Sequence, residues 1–418
     1  MGDINEVRYR WLDDSLAAKL EKPFVHVLFG ARQTGKTTLL RHLLPTPALS
    51  FNLADPAERN HLLADIGAFT RACRALPVRK PAPVVLIDEA QTVPAVFDAV
   101  QSLYDEDKRR WRFVLCGSST RKLRLGGANL LPGRSLQHRL YPLTLAERAP
   151  SESPAAGARS PLPFPAKGDD APRFPRAELL ERLAFGELPG IVLLDEADRA
   201  EVLRGYVIAH LEEEIRREAL VRDWGAFLRF LQFAALESGK VVNYAKIANE
   251  VGVAPATVRS YYQLLEDVFV GFTVPGFSRS PRKNLTSTPR FFLFDLGIRH
   301  AAAGVTPSRD VVLSDPGPFF EQWVGIELWK RLGYLGTGRL HHLRSKDGAE
   351  IDFVIERGRE LIPVEVKWTQ YPKREDARQV ARFLDEHRGS AKHGFLVCRA
   401  PRPQQIEERV TAIPWFCL

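Results

Sequence analysis

Gly30-Ala31-Arg32-Gln33-Thr34-Gly35-Lys36-Thr37-Thr38 sets two glycines, a lysine and a hydroxyl at the spacing G-x-x-x-x-G-K-[ST], the pattern of a phosphate-binding loop. Glycines let the backbone wrap closely around anionic oxygens, while the amides of the loop and of the following helix point at them. Lys36 is expected to reach the β and γ phosphates of a nucleotide and Thr37 to hold Mg2+. Downstream, Val84-Val85-Leu86-Ile87-Asp88-Glu89 is an apolar run that ends in two carboxylates. A buried strand would deliver Asp88 beside the magnesium and leave Glu89 to orient and activate a water as general base. Phe113-Val114-Leu115-Cys116 ends in Gly117-Ser118-Ser119. There Ser118 or Ser119 could hydrogen-bond the γ-phosphate or the attacking water. Arg134, in Pro132-Gly133-Arg134, is the first candidate for an arginine that neutralises transition-state charge, supplied by a neighbouring subunit, with Arg121 and Arg139 as rivals.

A second set of charged residues lies near the other end of the chain. Asp352 precedes Pro363-Val364-Glu365-Val366-Lys367 at the spacing D…E-x-K. Strand alternation puts Glu365 and Lys367 on one face, and Asp352 on a neighbouring strand can converge on them. Two carboxylates and a backbone carbonyl would make a hard-oxygen site for a second Mg2+ or Mn2+, with Lys367 positioning or activating water.

A third pattern, Val242 to Leu265, reads as helix, tight turn, helix. Gly252 permits the turn, and Pro255 stands where a second helix can begin. Val258, Tyr262 and Leu265 would bury that helix, leaving Thr257, Arg259, Ser260 and Gln263 for solvent or DNA. The β-rich stretch that follows, from Val268 to Phe294, has no acidic residue and carries Arg279, Arg282, Lys283 and Arg290, as a DNA-binding wing would. Such modules also bind proteins.

The elements that must position these groups follow from patterning. Short apolar runs at Phe24–Phe29, Leu49–Leu53, Val84–Ile87, Phe113–Cys116 and Gln137–Tyr141 alternate with helical periodicity, which predicts a parallel α/β sheet over residues 1–149. Residues 150–175 are rich in proline, alanine, serine and glycine and read as a linker or loop. Residues 176–235 read as helical and lid-like, 236–300 as the winged helix-turn-helix, and 301–418 as a second α/β unit. In that last unit a helix near Phe319–Leu332, ended by Gly333, precedes strands near His341–Arg344, Ile351–Ile355, Ile362–Val366 and Gly394–Val397.

The formal charge of +8 and the pI of about 9.3 suit a polyanionic partner. Cys73, Cys116, Cys398 and Cys417 lie far apart with no C-x-x-C pair, which speaks against a zinc ribbon or disulfide framework and for a reducing cytoplasm. No uninterrupted apolar stretch is long enough to span a bilayer, and Met1 to Glu6 has no apolar core, so neither a membrane span nor a secretory leader is expected.

Taken together, the loop, Leu86-Ile87-Asp88-Glu89-Ala90-Gln91, Gly117-Ser118-Ser119, Pro132-Gly133-Arg134, Phe294-Asp295-Leu296-Gly297 and Phe320-Glu321-Gln322-Trp323-Val324 resemble the AAA-type ATPases of bacteria and archaea. The likeness is to a prokaryotic branch with a C-terminal domain of unknown function. It covers nearly the whole chain except the proline-rich insert. It implies an AAA-type P-loop core, a winged-helix unit and a PD-(D/E)XK nuclease-like domain, with Glu321 as that domain's additional acid. The expectation is an ATPase that uses ATP and Mg2+, assembles as a ring or other homo-oligomer, and couples hydrolysis to DNA remodelling or movement. The alternatives are an ATP-controlled nuclease and a regulatory ATPase switch acting on a protein partner.

Overall fold

Strands made of unbroken apolar runs need cover on both faces, and parallel pairing with helical crossovers supplies it. The computed structural model describes residues 8–119, 133–151, 174–211, 215, 221, 223–278, 288–344 and 350–418. Helix α1 (Asp13–Leu20) leads into β1 (Val25–Phe29), α2 (Lys36–Leu43) and β2 (Leu49–Asn52). Then come α3 (Pro56–Ala64), α4 (Ile66–Ala75), β3 (Val84–Asp88), α5 (Ala95–Glu106), β4 (Arg112–Gly117) and β5 (Ser135–Arg139). The sheet order is β2-β3-β4-β1-β5, and every pair is parallel. Each of the five expected strands is present, and β4 lies between β1 and β3. The last strand stops at Arg139 instead of Tyr141, because the Tyr141 amide donates to the hydroxyl of Tyr334 (3.1 Å) rather than to β1. The register places Phe29 opposite Gly117 and Arg139, and Asn52 opposite Asp88, so the strands end along a common carboxyl edge.

A helical unit follows: α6 (Leu179–Phe185), α7 (Glu196–Gly205), α8 (Trp224–Leu236), α9 (Tyr244–Val251) and α10 (Pro255–Asp267). The antiparallel pair β6 (Gly271–Val274) and β7 (Arg290–Leu293) comes next, then α11 (Leu296–Ala302). The turn between α9 and α10 forms as its residues suggest. Asn243 caps α9 by accepting from the Lys246 amide (3.0 Å), Gly252 adopts φ 80°, and Pro255 opens α10. Val258, Tyr262 and Leu265 are buried, while Arg259, Ser260 and Gln263 are exposed. Arg279, Arg282 and Lys283 lie outside the described residues, as does Arg121.

The terminal unit is α12 (Pro316–Leu335), β8 (Arg339–Arg344), β9 (Glu350–Arg357), β10 (Glu360–Val366), α13 (Arg378–Glu386), β11 (Gly394–Cys398), β12 (Gln404–Glu407) and β13 (Val410–Pro414). Its sheet order is β12-β13-β11-β10-β9-β8. Strands β8, β9 and β10 form an antiparallel meander, and β11 joins β10 in parallel after the α13 crossover. Gly333 does not end the first helix. It sits inside α12, pressed against the ATPase-side Tyr141, and a Cβ there would lie 2.1 Å from the tyrosine hydroxyl. The helix stops at Gly336, whose φ of 64° closes it.

One apolar core runs from β1 and β3 through α8, α10 and β7 into α12 and the terminal sheet. The units are also tied by a buried ion cluster. Glu327 pairs with Lys330 (2.9 Å) and Arg331 (2.8 Å) and accepts from the Leu145 amide (2.9 Å), while Lys330 donates to the Leu143 carbonyl. No helix among the described residues is long and apolar enough to cross a membrane.

Candidate active site

The loop between β1 and α2 owes its shape to two left-handed residues, Gln33 at φ 60° and Gly35 at φ 90°. Glycine is suited to the second position, where an L side chain would be strained. Lys36 opens α2, and its buried ammonium donates to the carbonyls of Gly30 and Ala31, both at 2.9 Å. The Thr37 hydroxyl donates to Asp88 Oδ2 at 2.7 Å, which joins the first helical turn to the end of β3. A cavity of about 470 Å³ opens over these groups, lined by Arg32, Lys36, Thr37, Asp88, Glu89 and Thr92 among others. A hydroxyl and a carboxylate side by side are the hard oxygens that Mg2+ prefers, so this pair fits that ion.

Glu89 has φ 53°, left-handed for a residue with a side chain, so it is held there by its surroundings. Gln91 supplies one such contact. Its amide nitrogen donates to Glu89 Oε2 (2.7 Å) and to the Ser118 hydroxyl (3.0 Å), from a position that is 5% exposed. The proposed base and the serine at the end of β4 are therefore bridged by one side chain. Ser119 is buried next to it. In the sequence, Gln91 carries a resemblance and no expected role. Its spacing from Glu89, with one residue between, was the available signal.

A second cavity of about 460 Å³ shares Gln33, Gly35 and Thr38 with the first and continues past the loop. Its far wall is apolar: Leu39, Phe174, Pro189, Ile191 and Leu194. A nucleotide lying across the loop would have its phosphates in the polar cavity and an aromatic base in the apolar one.

Arg10 is a further residue against the loop. It is buried, and its guanidinium donates to the Thr34 carbonyl within the loop (2.6 Å), to the Tyr141 carbonyl (2.7 Å) and to Glu147 (2.6 Å). A lone arginine near a chain end carries no spacing signal.

Arg134 stands at the start of β5, where its carbonyl accepts from Val25, at the opposite end of β1 from the loop. It is paired with Asp105 at 2.6 Å. From there it does not reach the loop of its own chain. Arg139 is enclosed by the rings of Tyr141, Phe269 and Trp329 at 4.7–4.9 Å and is therefore an interior cation rather than a finger.

Arg259 stacks on Tyr244 at 4.5 Å and, with it, borders a groove of about 1140 Å³ between the helix-turn-helix and the terminal unit. Arg339 and His341 line the other side, and Thr257 is half-buried at the start of α10.

The structure gathers Glu321, Asp352, Glu365 and Lys367 in one region but does not shape them as a metal site. Among the described residues no three His, Cys, Asp or Glu side chains converge closely enough to hold an ion. Asp352 accepts from the Val366 amide (2.8 Å), Glu365 pairs with Lys367 (2.7 Å), and Arg290 from β7 pairs with Glu321 (2.5 Å). Burial first, and then Asp352, push Glu321 up to about 8 and Glu365 up to about 7.

Residues 22–149 match the model of an AAA domain. Residues 176–309 and 316–418 match two domains of unknown function, DUF8612 and DUF4143. The three together support a prokaryotic AAA-type ATPase family, and the first suggests ATPase activity. The chain is 24% identical to an uncharacterized protein of Mycobacterium tuberculosis, over 85% of its own length and 73% of that protein's. It is also 24% identical to an uncharacterized protein of Haemophilus influenzae, over 82% of each. Among solved structures, a Pif1 helicase from Candida albicans aligns with 32% of this chain and 40% of its own, at 13% identity and a TM-score of 0.24. A STAND protein with a tetratricopeptide repeat sensor from Pyrococcus horikoshii aligns with 79% and 48%, at 11% identity and a TM-score of 0.22. Likeness at that level does not bear on what this chain binds.

Proposed function

We propose that the chain hydrolyses ATP with Mg2+ and couples turnover to the remodelling or movement of bound DNA. The observation that carries this reading is the meeting of Lys36, Thr37, Asp88 and Glu89 on one cavity at the carboxyl edge of a parallel sheet. Lys36, now satisfied by its own loop carbonyls, would turn to the β and γ phosphates. Thr37 and Asp88 would hold the ion, which supplies charge neutralisation to the transferring phosphoryl group. Glu89 would take a proton from the attacking water, aimed by Gln91. Ser118, bonded to the same amide, would report the γ-phosphate to the base. Arg134 of an adjacent copy would complete the charge balance, which makes a homo-oligomer part of the proposal.

The DNA component rests on the exposed Arg259 at the mouth of the groove and on the basic composition of the stretch after α10. One observation favours a second reading, a switch acting on a protein partner. The helix α10 carries a single basic residue, Arg259, against Glu266 and Asp267, which is sparse for a helix that reads DNA. The two readings separate in one assay: the ATPase rate with single-stranded, duplex, forked and four-way DNA at two salt concentrations. The first expects stimulation that weakens as salt rises and is lost in Arg259→Ala. Rates indifferent to every DNA structure would remove it and leave the second.

A further inference from the structure

The carboxylates of the terminal unit meet a cation that comes from elsewhere in the chain. Arg290 lies at the start of β7, before the terminal unit begins, and bridges to Val241 and Val274 in the helical unit. Its side chain crosses into the terminal unit. Nη1 donates to Glu321 Oε1 at 2.5 Å and Nη2 to Glu350 Oε1 at 2.7 Å, with the residue 5% exposed. Its charge also acts on Asp352. On the other side Lys367 holds Glu365 Oε1, and Glu365 Oε2 is buried with no hydrogen-bond partner among the described residues.

Four carboxyl groups thus face two side-chain cations. A guanidinium cannot give up its proton in a protein, so the Arg290 charge is permanent. A divalent ion at these oxygens would have to displace it or lie against it, and Mg2+ also demands near-ideal octahedral contacts at about 2.0–2.1 Å. Arg290 already occupies Oε1 of both Glu321 and Glu350.

We infer that Arg290 is the resident cation of this acidic pocket, standing where a divalent metal would otherwise bind, and that the native terminal unit is closed to metal. On this reading the pocket is a socket that docks the β6–β7 unit onto the terminal sheet. The unpartnered Glu365 oxygen marks where an ion would gain a ligand once the arginine is gone.

The test is Mn2+ binding to the full chain without nucleotide, followed by the electron paramagnetic resonance of free Mn2+. Native protein and Asp352→Asn should take up the same amount. Arg290→Gln should gain about one further Mn2+ per chain, following a simple one-site linkage, and the double variant Arg290→Gln, Asp352→Asn should lose that gain. Arg290→Lys, which keeps the charge, should match the native protein. Mn2+ uptake by native chain that falls in Asp352→Asn overturns the inference, as does a folded Arg290→Gln that gains none. If circular dichroism shows Arg290→Gln unfolded, the native, Asp352→Asn and Arg290→Lys comparisons still decide it: equal uptake supports the inference and an Asp352-dependent loss refutes it.

Discussion

Replacing Gln91 by leucine removes two hydrogen bonds at once and keeps nearly the same volume. The bond to Glu89 is at 2.7 Å and the bond to Ser118 at 3.0 Å. A hydrogen bond to a charged group contributes about 1.5–3 kcal/mol. If Gln91 holds Glu89 in its left-handed conformation for water activation, that energy is felt in the transition state. At about 1.4 kcal/mol per tenfold in rate, kcat should fall roughly 10- to 100-fold. Nucleotide affinity should hardly move, because Gln91 does not line the cavity formed by Lys36, Thr37 and Asp88. The assay is steady-state ATP hydrolysis beside equilibrium binding of a fluorescent ATP analogue. Glu89→Gln serves as the reference, since it should keep binding and block turnover outright. Gln91→Glu should also lose rate, by setting a second carboxylate against Glu89. Native turnover in Gln91→Leu would refute the reasoning, and so would parallel loss of rate and binding, which would mean only local unfolding.

Gly333→Ala should destabilise the chain by about 1–3 kcal/mol, the usual cost of overpacking, because its Cβ would meet the Tyr141 hydroxyl at 2.1 Å; urea unfolding measures it, and a native midpoint would disprove the contact. Glu321 carries its proton more tightly folded than unfolded, with its pKa raised from 4.5 to about 8. Its contribution to stability is therefore full below 4.5 and is lost as pH rises through 8. Relative to Glu321→Gln, the native chain should lose thermal stability between those limits, and a constant difference across them would contradict the assignment.

The elements were legible wherever one local pattern decided them. Five runs match five parallel strands; Val84–Ile87 and Phe113–Cys116 are unbroken because a strand buried on both faces needs no alternation, whereas β2 and β5 at the sheet edges are partly exposed. The turn at Gly252 was equally legible, since a left-handed residue followed by Pro255 leaves little else for the chain to do. The loop residues and Asp88 stand out by spacing, because phosphate binding draws its donors from consecutive amides. The terminal strands were found too, yet the chemistry expected of Asp352 and Glu365 was not what their neighbourhood shows. Spacing located the carboxylates on adjacent strands and could not say what faces them.

Arg139, Gly333 and Arg290 have one physical feature in common: each is a polar or small residue with a partner in another unit. Arg139 is caged by Phe269 and Trp329 as well as Tyr141, Gly333 receives Tyr141, and Arg290 enters the pocket of Glu321 and Glu350, whereas Arg10 reaches the Thr34 carbonyl within its own unit. Periodicity reports a residue's own element, so it cannot register a contact made across elements far apart in sequence. An interior arginine is costly unless its donors are satisfied, so a buried one implies matching acceptors within its reach. These contacts have a further consequence. The nucleotide loop is touched from outside its own sheet, by Arg10 at Thr34 and by the Tyr206 hydroxyl at the Arg32 carbonyl (3.2 Å), while Phe269 packs on Phe29 at the strand that feeds the loop (5.8 Å). On the proposed function, a triphosphate that drew Lys36 away from Gly30 and Ala31 would change the loop these residues hold. The helical unit bearing Tyr206 and Phe269 would then be one part of the chain placed to respond to it.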